Sequence, residues 1–284
     1  VIEFLSKKVL SFKRIHELAI LSLLIEKKHL SFDDQSELIQ RYQIHLDAKM
    51  EHSVLLNLRN EFAKEEERRR YAVCILIEKD NEYRLTAAFQ KMLKNEKFFS
   101  MVKELLDFGH ELHKEKYQQT YLDTNFVLYE KYSRRDVSLL MNCGKDLSSV
   151  MFGMKRIVDD VFIFVTYHKE KSDDERNYVD GKPDYADAFE DNMIFRWDSK
   201  IGMGIESNYM KEVTTALRKH LLVKKSDAES NFYYMGTFDI LDVKEDQKED
   251  NKGILKKICK VVVKMHHPVR DDLLCYLQST IKEN

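Results

Sequence analysis

The 284 residues contain 47 Lys and Arg against 49 Asp and Glu, a formal net charge of -2, and 34% of the residues are charged. This length allows two ordinary domains, each with its own core. The even charge balance excludes a uniformly basic surface of the histone kind. It leaves room for a local basic face, because the local field rather than the total charge guides nucleic acid.

The four cysteines and the apolar runs bear on location and partners. Cys74, Cys143, Cys259 and Cys275 are scattered without a Cys-x-x-Cys pair, and no histidine spacing matches a zinc ligand set. We therefore expect no metal site and a reducing, cytoplasmic location. No apolar run reaches the length of a membrane span, so no membrane partner is expected. Val1 begins the sequence without a cleavage site, and we expect the chain to be part of a longer protein.

Helical periodicity dominates the first part of the chain. Apolar residues recur at helical spacing over residues 12–28, and a further helix is predicted over 47–67. Residues 71–77 and 83–86, separated by a polar turn, then predict a β-hairpin. A winged helix has this order of elements, in which helices are followed by a β-hairpin. Because no basic recognition helix is visible, we predict that residues 1–122 form a helical adaptor domain.

The pattern changes near residue 123. Residues 161–167 form a continuous apolar run that suits a strand buried on both faces. The segment over 243–252 is predicted to be a charged surface loop. Further strands and helices are predicted over residues 231–238, 258–265, 206–217 and 271–281. Several strands with interspersed helices predict a partly open β-barrel with flanking helices over 123–284, so the predicted fold class is α+β.

Seven short blocks follow one another through this second part. They are Lys131-Tyr-Ser-Arg-Arg-Asp-Val137, Ser148-Ser-Val-Met-Phe-Gly153, Ile163-Phe-Val-Thr-Tyr-His-Lys169, Tyr185-Ala-Asp-Ala-Phe189, Phe195-Arg-Trp-Asp-Ser199, Leu222-Val-Lys-Lys-Ser226 and Phe232-Tyr-Tyr-Met-Gly236. In this order they resemble the C-terminal domain of SauUSI-type type IV restriction endonucleases, which join a phospholipase-D nuclease to a helicase. The helical first part resembles the segment that links helicase to reader in the same proteins.

The resemblance implies both a fold and a function. The second domain is expected to be PUA/SRA-like and to recognise 5-methylcytosine or 5-hydroxymethylcytosine in duplex DNA. The expected partners are that modified DNA and the helicase and nuclease domains of the same polypeptide. One segment departs from the family pattern, because residues 170–183 insert a polar stretch between two of the blocks. The resemblance therefore does not say which modified base is read.

Reading a modified base in a duplex requires the base to leave the stack and enter a pocket with aromatic walls and an acceptor for the cytosine amino group. The predicted base-binding residues are Tyr167, His168, Asp184, Tyr185, Asp187, Phe195 and Trp197. Core packing is the stronger interpretation for Phe189 and Phe195, and the two interpretations stand level for Tyr185 and Trp197. The position of Tyr167 at the end of the predicted buried strand favours the pocket.

Polar and basic side chains in the same domain are predicted to contact the DNA backbone. They are Ser148, Ser149, Lys155, Lys169, Arg196, Lys224 and Lys225. Taken singly, each basic residue fits a solvated surface better, whereas a set around one pocket would position the duplex. Tyr233 and Tyr234 alternate across a strand, so one ring faces outward. That ring fits a second pocket wall and a cross-strand aromatic pair equally well.

Sequence signatures of catalysis are absent from this chain. It contains neither the P-loop pattern nor the His-x-Lys-x4-Asp pattern of phospholipase-D nucleases, so no catalytic residue and no cofactor are expected in it. The leading hypothesis is a module that flips and binds a modified cytosine. Two alternatives stay open: a reader of modified RNA, and a structural or protein-interaction module in which the aromatic residues are all core.

Overall fold

The computed structural model of the chain describes residues 1–10, 12–31, 35–71, 76–79, 82–168, 187–250 and 252–279. The protein is of mixed α+β class, as the sequence predicts. It divides into two compact units, and the chain crosses between them three times. Unit 1 consists of Val1–Val127 and Arg134–Ser148, and unit 2 of Leu128–Ser133 and Ser149–Asn284. No helix in the described ranges is long and apolar enough to span a lipid bilayer.

Unit 1 is mainly helical. Its helices are α1 (Ile2–Phe4), which continues as a π-helical segment at Leu5–Val9, α2 (Ile15–Lys27), α3 (Ser36–Tyr42), α4 (Ala48–Leu58), α5 (Glu65–Tyr71), α6 (Ala87–Leu93), α7 (Glu96–Lys116) and α8 (Arg134–Leu140). Three short strands form an antiparallel sheet in the order β1-β3-β2. They are β1 (His29–Ser31), β2 (Ile77–Lys79) and β3 (Glu82–Leu85).

Local sequence signals explain where several of these helices begin and end. Asp47, Thr86 and Asn95 each accept a hydrogen bond from a backbone N–H in the first turn of α4, α6 and α7, respectively. The helix predicted over 47–67 is divided into α4 and α5. Asn60, with φ +58°, lies between them in the left-handed conformation, which cannot continue a right-handed helix.

A buried polar network joins the segment Arg134–Ser148 to the rest of unit 1. The Arg14 guanidinium forms an ion pair with Glu17, and both side chains are almost completely buried. Arg14 also donates to the main-chain oxygen of Leu139 at 2.7 Å and to Asn142 Oδ1 at 3.1 Å. Because a buried guanidinium needs its hydrogen bonds satisfied, this segment is part of the fold of unit 1.

Unit 2 is built on one large sheet with the strand order β5-β6-β9-β10-β11-β8-β7, and β4 pairs with the start of β10. The strands are β4 (Lys131–Tyr132), β5 (Met154–Ile157), β6 (Asp160–His168), β7 (Ala188–Phe189), β8 (Ile194–Asp198), β9 (Arg218–Ser226), β10 (Phe232–Glu249) and β11 (Leu255–Met265). Strands β6 and β9 are parallel, and the other pairs are antiparallel. Helices α9 (Asn208–Thr214) and α10 (Asp271–Gln278) complete the unit.

Strand β10 changes its pairing partners along its length. Its first residues pair with β4 and β9, and from Phe238 onward it pairs with β11. The register shifts between Tyr234 and Gly236, and Gly236 has φ +98°. An irregularity of this kind bends a strand and increases its twist, and glycine adopts that φ without strain. The segment over 243–252 was predicted to be a charged surface loop. Because β10 continues to Glu249 and pairs there with β11, most of this segment lies in a long hairpin, and the prediction was wrong.

A buried polar cluster connects β6, β9 and β10. Arg218 donates to Asp160 at 2.6 Å, and His220 Nε2 lies 3.3 Å from the same carboxylate. His220 Nδ1 lies 3.0 Å from the Tyr234 hydroxyl, and the imidazole stacks on Phe162 at 4.4 Å. Burial alone would raise the pKa of Asp160, but the hydrogen bonds from His220 and Arg218 outweigh it and hold the pKa at about 2.

Candidate nucleic-acid interface

One surface of unit 2 combines aromatic rings with cations. It lies where β4, the adjoining ends of β9 and β10, and α10 come together. We call it the tyrosine–lysine face and define it by Lys131, Lys225, Glu229, Tyr233 and Tyr276. The Tyr233 and Tyr276 rings meet edge to face, with centroids 6.1 Å apart and an interplanar angle of 72°.

A lysine ammonium group lies over each of these two rings. Lys131 Nζ lies 4.4 Å from the centroid of Tyr233, and Lys225 Nζ lies 4.6 Å from the centroid of Tyr276. Tyr276 is 39% exposed, and the Lys131 side chain is 40% exposed. One member of each pair therefore reaches solvent, so the pairs hold the rings and the cations in place while leaving part of the face accessible to a ligand.

The Glu229 carboxylate, in the loop between β9 and β10, organises this face. Its Oε1 accepts from Lys131 Nζ at 2.9 Å and from the Tyr276 hydroxyl at 3.0 Å. Its Oε2 accepts from the main-chain N–H of Lys225 at 2.8 Å. Burial alone would raise the pKa of Glu229, but these hydrogen bonds outweigh it and lower the pKa below its usual value. The group is therefore an ionised anchor at neutral pH.

A second pair of a ring and a cation lies beside the start of α10. The Arg270 guanidinium lies 5.3 Å from the centroid of Tyr129, and the Tyr129 hydroxyl donates to the main-chain oxygen of Pro268 at 2.7 Å. Arg270 also forms a two-point ion pair with Asp272. Both ends of α10 thus carry a tyrosine and a cation held together.

The predicted base-binding residues take different positions. Phe195 is fully buried and Trp197 is 4% exposed, and both belong to the core of unit 2. Phe195 packs on Phe189, and Trp197 stacks with Tyr209. This burial favours the core-packing alternative for Phe195 and Trp197. The predicted residues Lys169, Asp184 and Tyr185, and the insertion 170–183, lie outside the described residues.

Three further predicted residues lie at the edges of this core. His168 Nε2 is 2.8 Å from the main-chain oxygen of Leu277 in α10. Tyr167, next to it, is half-buried, and its burial raises the pKa of the phenol. Asp187 is buried, and its carboxylate accepts the main-chain N–H of Asp198 at 2.8 Å. Tyr167 and His168 therefore end β6 beside the C-terminal turn of α10, and Asp187 is bonded to the end of β8.

Of the predicted backbone-contact residues, Lys224 and Lys225 lie together with an outward tyrosine. Lys224 Nζ donates to the main-chain oxygen of Glu229 at 2.9 Å, and Tyr233 is the outward ring, since Tyr234 is fully buried. The others lie elsewhere in the chain. Arg196 on β8 is exposed and paired with Glu190, and Lys155 on β5 is half-exposed. Ser148 ends a segment of unit 1, and Ser149 is exposed in unit 2.

Three residues of the face were not predicted from the sequence as binding residues. Lys131 lies in one of the quoted blocks without a signal of its own, and Glu229 occurs in a polar loop. Tyr276 carries the one usable signal, because it lies off the apolar stripe formed by Leu273 and Leu277 on α10 and is exposed.

The match to protein families covers both parts of the chain. The family model described as Domain of unknown function (DUF3427) matches residues 126–277, more than half of the chain. The chain belongs to this family. The DUF3427 region contains every residue of the tyrosine–lysine face. A second family model, described as Domain of unknown function (DUF8090), matches residues 1–119. No curated protein matches the chain.

Several solved structures are similar to this DUF3427 protein at low identity. The sulfur binding domain and SRA domain of ScoMcrA with phosphorothioated DNA match at 12% identity and a TM-score of 0.30, over 97% of this chain and 90% of that chain. Arabidopsis thaliana SUVH6 matches at 12% identity and 0.32, over 83% of this chain and 42% of its own. KRYPTONITE with mCHG DNA matches at 10% and 0.33, over 80% and 45%. The DUF3427 chain thus spans less than half of the last two, and such scores do not establish a common fold.

Proposed function

We propose that unit 2 binds duplex DNA and reads a modified cytosine in it. In this proposal the chain is the target-recognition part of an ATP-dependent type IV restriction endonuclease. The observation that carries DNA binding is the tyrosine–lysine face, where two tyrosine rings and two ammonium groups share one surface. The preference for 5-methylcytosine or 5-hydroxymethylcytosine rests on the resemblance of the seven sequence blocks to SauUSI-type proteins.

The chemistry of the face matches the two parts of a nucleic-acid strand. Ammonium groups bind phosphates and release their counterions, which supplies most of the sequence-independent affinity. Tyrosine rings stack on bases or pack on sugars, and a stacked base contributes roughly 1–3 kcal/mol. Lys224 lies beside the same loop. The positive charges of Lys131, Lys224 and Lys225 there outnumber the negative charges of Asp227 and Glu229. This local excess of positive charge is compatible with a net charge of -2 for the chain.

Base capture is proposed at the end of β6. Tyr167 offers a half-buried ring and His168 a second flat group, and Asp187 offers a carboxylate that can accept from an exocyclic amine. Phe195 and Trp197 would support this site from the core rather than contact the base. The fold proposed for unit 2 is a PUA/SRA-like, partly open barrel.

Unit 1 is proposed to be a winged-helix adaptor. Strand β1 follows α2, helices α3 to α5 come next, and β2 and β3 close a sheet in the order β1-β3-β2. That succession is the one found in winged helices, which bind either DNA or protein. In the proposal this unit connects the reader to helicase and nuclease domains of the parent polypeptide, and the chain by itself cuts nothing.

A binding series tests the proposal. Duplexes of one sequence carrying cytosine, 5-methylcytosine or 5-hydroxymethylcytosine are titrated with the full chain at one fixed salt concentration. The parent should bind a modified duplex more tightly than the plain one. The double variant Tyr233→Ala with Tyr276→Ala should bind all three duplexes more weakly, whereas Lys244→Ala, an exposed control on the β10–β11 hairpin, should match the parent.

The series also separates the alternatives. A parent chain that binds no duplex, or a double variant that binds like the parent, would remove DNA reading from the tyrosine–lysine face. Competition with single-stranded and duplex RNA of matched length identifies a reader of modified RNA. Absence of binding to either nucleic acid leaves the protein-interaction module as the remaining alternative.

A further inference from the structure

Unit 1 contains a cleft that the proposed reading of DNA by unit 2 does not use. Its volume is about 670 Å³, and it lies between the start of α2, the end of α3 and the last turns of α7. Small-molecule sites in proteins typically measure about 300–1,000 Å³. The cleft is therefore large enough to hold a ligand the size of a nucleotide.

The lining of this cleft is basic. Lys13, Arg14, Arg41 and Lys114 line it, and Glu111 is the only acidic residue among the lining residues. The carboxylates that pair with the first three belong to Asp136, Glu17 and Glu26, none of which lines the cleft. Lys114 is exposed and has no hydrogen-bond or ion-pair partner within the described ranges. The cleft thus presents the ammonium group of Lys114, together with three cations that are paired with carboxylates outside the lining.

A flat platform lies in the same cleft. The rings of Tyr42 and His110 stack with centroids 5.1 Å apart and an interplanar angle of 18°, and both residues line the cleft. Both are half-buried, so the stack is held by the protein while part of it stays accessible. A planar ligand group can extend such a stack, as bases do on protein rings.

The histidines of the cleft add neutral hydrogen-bonding groups. His113 Nδ1 lies 2.8 Å from the main-chain oxygen of Phe12, so it carries the proton and leaves Nε2 as an acceptor. His16 Nδ1 is buried without a hydrogen-bond partner in the described structure, and burial lowers the pKa of His16 to about 4. In the part of the chain that the structure describes, no three metal-ligating side chains are grouped to hold an ion. These imidazoles therefore suit hydroxyl and amine groups of an organic ligand.

We propose that the cleft of unit 1 binds a nucleoside phosphate. The ammonium group of Lys114 and the guanidinium of Arg41, which both line the cleft, take the phosphates, and the Tyr42–His110 stack takes the base. Free nucleotides and the nucleotide at the end of a nucleic-acid strand share this chemistry. The experiment below distinguishes these two sources.

Calorimetric titration of the full chain tests the site with four probes: ATP, adenosine, inorganic tripolyphosphate and a short oligodeoxyadenylate, all without divalent metal. Lys114→Glu should weaken ATP binding by about tenfold or more, the loss expected for one charge-assisted hydrogen bond, and leave adenosine binding unchanged. His110→Ala should weaken adenosine as well as ATP. Lys97→Glu, an exposed residue on α7 outside the cleft, is the matched control and should bind like the parent.

The oligonucleotide arm is run with Tyr233→Ala, Tyr276→Ala, Lys131→Ala and Lys225→Ala combined, so that neither the rings nor the ammonium groups of the tyrosine–lysine face contribute. Tighter binding of the oligonucleotide than of ATP assigns the cleft to a strand end, and the reverse order assigns it to a free nucleotide. If none of the four probes binds, or if Lys114→Glu binds ATP as the parent does, the inference is overturned. Since Lys114 is exposed, a folding defect does not obscure that result. ATP binding that survives the double tyrosine substitution separates this site from the proposed reading of DNA.

Discussion

The hydroxyl of Tyr276 donates a hydrogen bond of 3.0 Å to Glu229, which connects α10 to the loop between β9 and β10. The same carboxylate accepts from Lys131 on β4 and from the main chain of Lys225 on β9. One anion thus holds groups from three elements of unit 2, which are α10, β4 and β9. Glu229 has the wrong charge to touch a phosphate, so its role in the proposed interface is to position the rings and cations around it.

Replacing Glu229 by Gln should therefore loosen the face and destabilise the chain near neutral pH. The pKa of Glu229 is lowered below its usual value of 4.5, so its stabilising contribution is complete above that pH. It is lost as the pH falls through the lowered pKa of the folded state. Urea denaturation of parent and Glu229→Gln from about pH 7 to about pH 3 measures this, and the difference in free energy of unfolding should shrink toward the acid end. A difference that does not vary with pH would show that charge at Glu229 is unimportant.

The salt dependence of DNA binding should identify which lysines reach phosphates. Each phosphate contact contributes about 0.9 to the slope of log K against log salt. Lys131→Ala and Lys225→Ala should each reduce the slope by roughly that amount. Lys244→Ala should leave it unchanged, because that residue lies on the β10–β11 hairpin and is not part of the tyrosine–lysine face. Fluorescence anisotropy at four or more salt concentrations gives the slopes. Equal slopes for all four proteins would place the phosphates elsewhere.

The sequence predicted the parts of the fold in which one pattern dominates. The helix over 12–28 and the apolar strand over 161–167 correspond to α2 and β6. The second half of β10 was missed because strand prediction depends on a buried face. From Leu241 to Glu249 most residues of β10 are exposed, and main-chain pairing with β11 holds them. Cross-strand ion pairs such as Lys257 with Glu245 add to this pairing, and no periodicity records them.

The candidate site was predictable only in part, for a related reason. Lys224, Lys225 and the outward ring of Tyr233 follow from strand alternation next to a basic pair. The contact of Tyr276 with Glu229 depends on where α10 docks, and that requires the tertiary fold. Whether Trp197 packs in the core or faces a ligand depends on the same information. A sequence shows that an aromatic residue exists, and burial against the other strands decides what it does.

The Asp160 cluster should contribute strongly to the stability of unit 2. Asp160→Asn removes the charge that pairs with Arg218 and leaves a buried imidazole at His220 without its anion. Because the Arg218 side chain is 40% exposed, the charge left unpaired is partly solvated, and the loss should be about 1–3 kcal/mol, less than for a fully buried pair. Asp159→Asn is the matched control, because it makes the same substitution at the adjacent residue, which is exposed in the turn between β5 and β6. Denaturant midpoints compare the two variants, and a midpoint for Asp160→Asn equal to that of the control would show that the cluster is dispensable.

Unit 1 should require the segment Arg134–Ser148 to fold, even though the chain reaches it only after passing through unit 2. A fragment that ends at Val127 leaves Arg14 buried without the main-chain oxygen of Leu139 and without Asn142. It also loses the buried Leu139 and Leu140 side chains. An unsatisfied buried charged group alone costs about 1–3 kcal/mol or more, a large part of the stability of a domain this size.

Two fragments test that dependence directly. Residues 1–148 should show a cooperative thermal transition by circular dichroism, and residues 1–127 should melt at a markedly lower temperature or without cooperativity. Adding the peptide of residues 134–148 to the shorter fragment should raise its melting temperature, because the peptide restores the acceptors of Arg14. Identical melting of the two fragments would mean that Arg14 finds other acceptors. In that case the boundary between the two matched families would also be a folding boundary.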